Sequence, residues 1–311
     1  MSRRRPARIK FPPPRSITRL RQQEPSFFLL DQFSLEDIKR WTTHRDKILR
    51  YHWEYYSSLA YQRSRVTDDI QAALQEASCG PFEFKGWQRI VKYKYSLDPL
   101  SVAGSLSDIG GRFNIGDIDP SRFPPFPALY IASDASTALQ ETFGKDRPLP
   151  QEFTPLELAL TQSKSISNIS INGTLGSVIN VNKHQSLQKF IDIIKNFVLP
   201  GHLEQEAKKE KWEPPTLVRN VSLLLDALLF SDWRKWAMLY DVPVASQIFG
   251  QLAANAGIEG IIYPSKYTKK DCLAIFPQNF ENDSHILIAD ETPPEIHHRR
   301  LDEKTWREIN R

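Results

Sequence analysis

Prolines and glycines crowd one stretch of this chain and restrict how it can fold. Residues 97 to 127 contain five prolines and four glycines, too many for a helix or a strand to persist. Long ordered loops of this kind usually carry function. Directly after this loop, the apolar residues 128 to 132 predict a short buried strand. A helix capped by Ser133 or Asp134 and ended by Gly144 is then expected.

Hydrophobic periodicity predicts further helices and strands on both sides of the loop. A capping sequence at Ser34 begins the first helix, and apolar residues then recur at roughly helical spacing as far as Tyr56. Further helices are predicted at residues 67–77, 184–197, 218–229 and 244–256. Strands are predicted at residues 87–95, 128–132, 156–161, 258–263, 273–276 and 285–288. From Pro293 the chain is expected to be a charged helical tail.

Charge is distributed unevenly along the chain. The net charge is +4, but residues 1 to 22 hold eight Arg or Lys residues and no acid, which leaves 33 basic and 37 acidic residues in the rest. Prolines in the first 26 residues oppose regular structure, so a flexible basic arm is expected there. Such an arm is either simply solvated or touches nucleic acid, anionic lipid or a partner protein.

Several chemistries lack the residues that they need. Cys79 and Cys272 are the only cysteines, which excludes a disulfide framework and indicates a reducing, cytoplasmic compartment. The most apolar run, residues 223 to 230, is far shorter than the roughly 20 residues that span a bilayer, so no membrane segment is expected. The seven histidines have no metal-binding spacing, and no metal site is expected. Serine-triad, Rossmann and P-loop motifs are also missing.

A few side chains could together bind a phosphate-bearing nucleotide, although each has an ordinary explanation alone. The Gly110–Arg112 segment would let backbone amides and a guanidinium converge on a phosphate, or it is a plain turn. Tyr130 would stack on a planar base, or it belongs to the core. Glu141 is a candidate catalytic carboxylate or an exposed helix residue, and Ser265 a candidate ligand or a turn serine.

Taken in order, these residues belong to a series of motifs. The motifs are Trp87-Gln88-Arg89-Ile90-Val91, Gly110-Gly111-Arg112-Phe113-Asn114, Ala128-Leu129-Tyr130-Ile131-Ala132, Thr137-Ala138-Leu139-Gln140-Glu141, Pro243-Val244-Ala245-Ser246-Gln247 and Gly260-Ile261-Ile262-Tyr263-Pro264-Ser265. Over roughly residues 84 to 276 they resemble the RES family, which is named for its Arg, Glu and Ser. Phe113 departs from the pattern, because the family usually has Trp there. The resemblance implies an α+β fold: an ADP-ribosyltransferase-like mixed β core with surrounding helices, preceded by a small helical region.

The resemblance also implies an activity and a partner. Members of the family degrade NAD+ by hydrolysis or phosphorolysis, usually as the toxin of a toxin–antitoxin pair, and the antitoxin is typically of the Xre type. NAD+ is then a substrate, and no cofactor is retained. The implied catalytic set is Glu141, Arg112, Tyr130 and Ser265. The implied NAD+-binding set is Arg89, Gly111, Arg112, Asn114, Tyr130 and Ser265.

Separate roles follow from the chemistry of nicotinamide departure. The leaving group departs neutral, so the protein has to hold the dinucleotide and stabilise positive charge on the ribose. Glu141 would supply that charge, while Tyr130 would stack on the nicotinamide or its ribose. Ser265 would either bind the nicotinamide side or order Glu141. The two arginines of the binding set would clamp the pyrophosphate.

Four segments and two alternative functions complete the interpretation. Residues 1–26 are the basic arm, 27–80 a helical region, 81–290 the NAD+-cleaving domain with a helical insert at about 184–240, and 291–311 a charged tail. The same site could instead transfer ADP-ribose to a protein side chain. In a different class of function, the chain is a regulator that contacts nucleic acid weakly through residues 1–22.

Overall fold

The structure is a computed structural model that describes residues 34–143, 166–212, 216–292 and 294–309. The predicted basic arm and the predicted strand at residues 156–161 lie outside the described residues. The chain divides into two compact units. One unit comprises residues up to Ala60 together with Val198–Thr216, and the other comprises Tyr61–Phe197 together with Leu217–Arg311.

Helices and strands alternate irregularly along the described part of the chain. The helices are α1 (Leu35–Ser64), α2 (Thr67–Ala77), α3 (Ala103–Leu106), α4 (Ala135–Phe143), α5 (Gln188–Ile194), α6 (Gly201–Glu210), α7 (Val221–Leu228), α8 (Trp233–Tyr240), α9 (Ala245–Asn255) and α10 (Trp306–Ile309). The strands are β1 (Phe82–Lys92), β2 (Leu129–Ala132), β3 (Ile166–Leu175), β4 (Val178–Asn180), β5 (Gly260–Pro264), β6 (Asp271–Ile275), β7 (His285–Ile288) and β8 (Arg300–Asp302). None of the described helices is both long and apolar enough to cross a bilayer.

The first unit is built on α6 and most of α1. Ser34 caps α1 as the sequence predicts: its hydroxyl accepts the amide of Asp37 at 3.1 Å, and the Asp37 carboxylate accepts the amide of Ser34 at 3.2 Å. Tyr51 of α1 is buried with Leu203 and Ala207 of α6. The two helices of this unit are therefore held together by an apolar seam that includes an aromatic ring.

The second unit contains one eight-stranded sheet with the order β4-β5-β6-β2-β1-β3-β7-β8. All neighbouring strands are antiparallel except β4 and β5, which are parallel. The central strand β1 pairs along most of its length with β3 and at Gln88 with β2. The short strand β2 thus lies between β1 and β6, next to the middle of the sheet.

Side chains of the central strands alternate between two apolar layers, as the pleat of a strand requires. In β6, Ala274 packs in one layer while Leu273 and Ile275 pack in the other. Ile261 and Ile262 of β5 divide in the same way. Residues 258–263 and 273–276 are continuously apolar in sequence because side chains pack on both faces of these strands.

Helices cover one face of the sheet, and a loop with the chain's last strand helps to cover the other. The helical layer contains Leu74 of α2, Phe190 of α5, Leu224 of α7 and Phe249 of α9. The opposite layer includes Leu100 and Val102 from the proline-rich and glycine-rich loop, and Leu301 of β8. Full burial of each such side chain is worth about 1.5–3 kcal/mol. The loop is consequently anchored in the core despite its lack of regular structure.

The fold confirms the predicted class and differs in detail. The chain is α+β, with a mixed sheet, surrounding helices and a helical region before the sheet. The predicted helix at residues 184–197 begins as a 3-10 turn and ends at Ile194. The charged tail does not form only a helix, because Leu301 is fully buried and its strand β8 pairs with β7. Three residues of strand are too few to be recognised by alternation.

Candidate active site

A cleft of about 110 Å³ opens in the second unit beside β1, β2 and α4. Three of the predicted site residues, Arg89, Tyr130 and Glu141, line it. The other lining residues are Gln88, Ile90, Ile131, Ala132, Ala138, Thr142, Tyr263 and Cys272. The cleft therefore combines one carboxylate and one guanidinium with a largely apolar wall, which is the usual make-up of a small-molecule site.

Glu141 lies in the last turn of α4 and is fixed by the turn that follows β5. The hydroxyl of Ser265 donates to Oε1 of Glu141 at 2.6 Å, and the backbone amide of Lys266 donates to the same oxygen at 3.2 Å. Ser265 is fully buried. Its Oγ also accepts the amides of Tyr267 and Thr268, at 3.1 and 3.3 Å. Because both lone pairs are used in this way, the single hydroxyl proton points to the carboxylate.

One face of α4 is attached to this turn at three levels. The contacts are Asp134 with Lys270 at 3.4 Å, Thr137 with Thr268 at 2.9 Å, and Glu141 with Ser265 at 2.6 Å. Asp134 also caps α4 by accepting the amide of Thr137 at 3.0 Å. Positions spaced by three and four share a helix face, so the whole length of α4 is held against the turn. The carboxylate of Glu141 is therefore fixed by its helix as well as by its own hydrogen bonds.

The hydroxyl of Tyr130 organises the Gly-Gly-Arg loop rather than projecting freely. It accepts the amide of Phe113 at 2.9 Å and donates to Oδ1 of Asn114 at 2.9 Å. A Cβ atom on Gly111 would lie 2.4 Å from the Tyr130 ring, so only glycine allows this approach. Burial raises the pKa of Tyr130, although the amide of Phe113 and nearby positive charges act in the opposite direction. The phenol therefore stays protonated.

The side chain of Asn114 crosslinks the same loop by hydrogen bonds to its backbone. Its side chain is fully buried, and its Nδ2 donates to the carbonyls of Ser105 at 2.7 Å and Phe126 at 3.0 Å. Its Oδ1 accepts the amide of Gly111 at 2.8 Å. Neither Asn114 nor Gly111 is among the described residues that line the cleft. Both residues were predicted to bind substrate. In the structure they hold the Gly-Gly-Arg loop in place beside the cleft.

Gln247 is a supporting residue to which the sequence assigned no individual role. It lies in the first turn of α9 and is fully buried. Its Nε2 donates to the carbonyls of Ile109, Gly111 and Asn114 at 2.6, 3.1 and 3.1 Å. One turn later, a Cβ on Gly250 would lie 1.9 Å from the carbonyl oxygen of Phe113. The start of α9 is thus fitted to the backbone of the Gly-Gly-Arg loop.

Arg89 lines the cleft, and its guanidinium is bound by carbonyl groups. Its Nε donates to Pro99 at 2.7 Å, Nη1 to Tyr130 at 3.1 Å and Nη2 to Ser101 at 2.9 Å. Burial lowers the pKa of Arg89. A guanidinium carries five N–H donors, so two remain beyond these three bonds among the described residues. Arg89 therefore joins the loop to β2, and two of its N–H donors are not used by the described residues.

Arg112 is buried and is not among the described residues that line the cleft. Only 5% of its surface is exposed, and its Nη1 donates to the carbonyls of Leu228 at 3.2 Å and Phe230 at 3.1 Å. Its guanidinium carbon lies 5.7 Å from the centre of the Trp233 ring. These three partners belong to the predicted helical insert. The insert therefore positions the arginine of the Gly-Gly-Arg motif.

Phe113 and Cys272 supply apolar packing near the site. Phe113 is fully buried and its ring centre lies 4.9 Å from that of Tyr263. Burial, and then the charge of Glu141, raise the pKa of the Cys272 thiol, which stays protonated and is a poor nucleophile. In the part of the chain that the structure describes, no group of three His, Cys, Asp or Glu residues could hold a metal ion.

Comparison with known proteins gives a structural match of low similarity. No protein-family model and no curated protein matches the chain. A solved structure to which the chain is similar is the MbcT–MbcA toxin–antitoxin complex of M. tuberculosis, with 15% sequence identity. The match covers 78% of this chain and 97% of that chain, with a TM-score of 0.42. A likeness at this level carries no conclusion about activity or partner.

Proposed function

We propose that the protein cleaves the bond between nicotinamide and ribose in NAD+, by hydrolysis or by phosphorolysis. The observation that carries this proposal is the Glu141 carboxylate, held by Ser265 at 2.6 Å and exposed to a cleft that also contains Arg89. Nicotinamide leaves as a neutral molecule from a cationic substrate, so positive charge appears on the ribose carbon. A fixed carboxylate stabilises that charge without having to reorient during the reaction.

Ser265 acts through Glu141 in this mechanism. Its hydroxyl is fully buried and already makes three hydrogen bonds, so it has no capacity left for a nicotinamide amide. Of the two roles that the sequence left open, ordering Glu141 is the one that these contacts support. Because Oε1 of Glu141 receives Ser265 and Lys266, we assign Oε2 as the oxygen that would accept a hydrogen bond from a ribose hydroxyl.

Arg89 and Tyr130 give the substrate its place in the cleft. Arg89 would donate its two remaining N–H groups to the substrate. Tyr130 contributes its ring rather than its hydroxyl, which is occupied by Phe113 and Asn114. A ring fixed at its hydroxyl end is a suitable surface for the nicotinamide or its ribose. NAD+ is consumed in this proposal and no retained cofactor is needed.

Two further parts of the proposal concern biological role. The resemblance to the RES family supports a toxin that depletes NAD+ and an antitoxin partner of the Xre type. Transfer of ADP-ribose to a protein side chain would use the same Glu141 and differ only in the acceptor that reaches the ribose carbon. The basic arm, on which a nucleic-acid-binding role would depend, lies outside the described residues.

The test is to incubate the pure full-length protein with NAD+, with and without inorganic phosphate, and to identify the products. Nicotinamide with ADP-ribose indicates hydrolysis, and nicotinamide with ADP-ribose 1''-phosphate indicates phosphorolysis. Nicotinamide together with labelled protein indicates transfer to a side chain. Absence of nicotinamide under every condition contradicts the proposal.

A further inference from the structure

Gln88 lies in the central strand β1 and lines the cleft. Successive side chains of a strand point to opposite faces of the sheet, so Gln88 shares a face with Ile90, which packs on the helical layer. Its neighbour across the strand pair is Ala132 of β2, another lining residue, which carries only a methyl group. The amide of Gln88 is therefore carried on the cleft side of the sheet, beside a small residue that leaves it room.

The Gln88 amide is held at both ends. The Nδ2 of Asn168 in β3 donates to its Oε1 at 2.8 Å, and its Nε2 donates to the carbonyl of Gly86 at 2.9 Å. A backbone carbonyl can only accept, so this contact identifies the nitrogen end of the amide and leaves the oxygen end for Asn168. The orientation of the amide is thus defined before a ligand binds.

A bulge in β1 places the Gly86 carbonyl where Gln88 can reach it. The register of β1 and β3 shifts at this point, and Gly86 has a φ of +69°, a conformation that glycine adopts without strain. The amide of Gly86 donates to Oδ1 of Asn172 in β3 at 2.8 Å. Asn168 and Asn172 therefore anchor the two ends of a line of hydrogen bonds that passes through Gln88 and Gly86.

Half of the hydrogen-bonding capacity of the Gln88 amide remains for a ligand. A primary amide has two N–H donors and two acceptor lone pairs, and the described residues use one of each. By contrast, the Glu141 carboxylate only accepts and the Arg89 guanidinium only donates. A group that both donates and accepts matches a ligand group that does the same, and the carboxamide of nicotinamide is such a group.

We propose that Gln88 determines specificity by binding the carboxamide of the nicotinamide ring. Its free N–H would donate to the carboxamide oxygen, and its Oε1 would accept from the carboxamide nitrogen. This inference rests on the proposed function, since it names the residue that recognises one part of that substrate. Ser265 has no capacity left for that group. Nicotinate would be rejected, because its carboxylate has no hydrogen to donate and brings a negative charge to Oε1 of Gln88.

Steady-state kinetics on two dinucleotides test the role of Gln88. Nicotinic acid adenine dinucleotide differs from NAD+ only in its carboxylate, and wild type should prefer NAD+ at least about tenfold in kcat/KM. Gln88→Met keeps the length of the side chain but neither hydrogen-bonding group, and the preference should fall below about threefold. Because the preference is a ratio measured in one protein preparation, partial loss of fold does not change it.

Gln188→Met is the matched control. Gln188 is exposed on α5 and is not among the described residues that line the cleft, so the same chemical change there should leave the preference intact. Equal cleavage of the two dinucleotides by wild type overturns the inference. An unchanged preference in Gln88→Met, or an equal loss in Gln188→Met, also overturns it.

Binding to the Glu141→Gln variant, measured by calorimetry, separates this inference from the proposed reaction. NAD+ should bind at least about tenfold more tightly than the analogue, and adding Gln88→Met should remove the difference. If wild type cleaves no NAD+ but this difference is found, the reaction is wrong and the carboxamide assignment stands. If NAD+ is cleaved but neither binding nor kcat/KM distinguishes the dinucleotides, the reaction stands and the carboxamide assignment is wrong. Binding of neither dinucleotide also overturns the assignment.

Discussion

Ser265 donates a 2.6 Å hydrogen bond to the Glu141 carboxylate across 124 positions of sequence. Two of the predicted site residues therefore meet directly, Ser265 buried and Glu141 at the cleft. The serine is oriented by two backbone amides of its own turn, and the glutamate by its helix. The pair is consistent with a carboxylate that is pre-positioned before any substrate arrives.

Ser265→Ala tests whether that positioning matters for the reaction. Without the hydroxyl, the carboxylate can rotate away from its productive orientation, and we expect kcat to fall about 10- to 100-fold while KM changes little. Ser136→Ala is the matched control, because Ser136 is exposed on the same helix α4. Thermal unfolding of both variants identifies a loss of fold. A fall in kcat of less than about threefold in a folded Ser265→Ala protein would show that the hydrogen bond is not required.

Gln247→Ala tests whether the hydrogen bonds of Gln247 stabilise the Gly-Gly-Arg loop. The substitution leaves the carbonyls of Ile109, Gly111 and Asn114 without their shared donor. Each unsatisfied buried acceptor costs about 1–3 kcal/mol, so we expect a clear drop in the free energy of unfolding. Gln251→Ala is the control, since Gln251 lies on the same helix and makes no side-chain hydrogen bond to the described residues. Equal stability of the two variants in urea unfolding would contradict this role.

Tyr130→Phe separates the ring of this residue from its hydroxyl. The variant keeps a surface for stacking but leaves the amide of Phe113 without its acceptor and removes one of the two donors to Oδ1 of Asn114. We expect a loss of about 1–3 kcal/mol in unfolding free energy and a much smaller effect on KM for NAD+. The same substitution at Tyr93, which is 66% exposed, should change neither quantity. A rise in KM without a loss of stability would instead assign the hydroxyl to substrate binding.

The lowered pKa of His52 should make the stability of the first unit depend on pH. Burial lowers the pKa of His52 from 6.5 to about 4. Above pH 6.5 the imidazole is neutral in both folded and unfolded chains, so its contribution to stability is fully present. As the pH falls from 6.5 toward 4, the unfolded chain takes up the proton first, and stability is lost over that interval. An NMR titration of the His52 ring in the folded protein should have its midpoint near 4. A midpoint near 6.5 would contradict this account.

Much of the fold follows from the sequence because its helices and strands have clear periodicity. The strands β5, β6 and β7 and the helices α2 and α9 lie close to where the patterns predict them. The short strands β4 and β8 could not be predicted, since three residues are too few to establish alternation. The pairing of β3 with β1 and β7 was also beyond prediction, because it depends on contacts between residues distant in sequence.

Of the predicted site residues, Arg89, Tyr130 and Glu141 line the cleft, and the sequence did not predict how they are arranged. The motif order identifies Glu141 and Ser265, and their contact agrees with it. The burial of Arg112 under the insert and the use of Asn114 inside the loop depend on packing that no local pattern encodes. Gln247 was missed as an individual residue for the same reason. A buried glutamine at a helix start has no sequence signal of its own.

Cleavage of NAD+ by wild type and by Glu141→Gln is the measurement that tests the central claim most directly. Glutamine keeps the size of the side chain and removes the charge that would stabilise the developing cation on the ribose. Nicotinamide release should be readily measured for wild type and about 100-fold slower or more for the folded variant. Equal rates in the two proteins, or no release by wild type with any acceptor, would contradict the assignment of Glu141 as the catalytic carboxylate of an NAD+-cleaving enzyme.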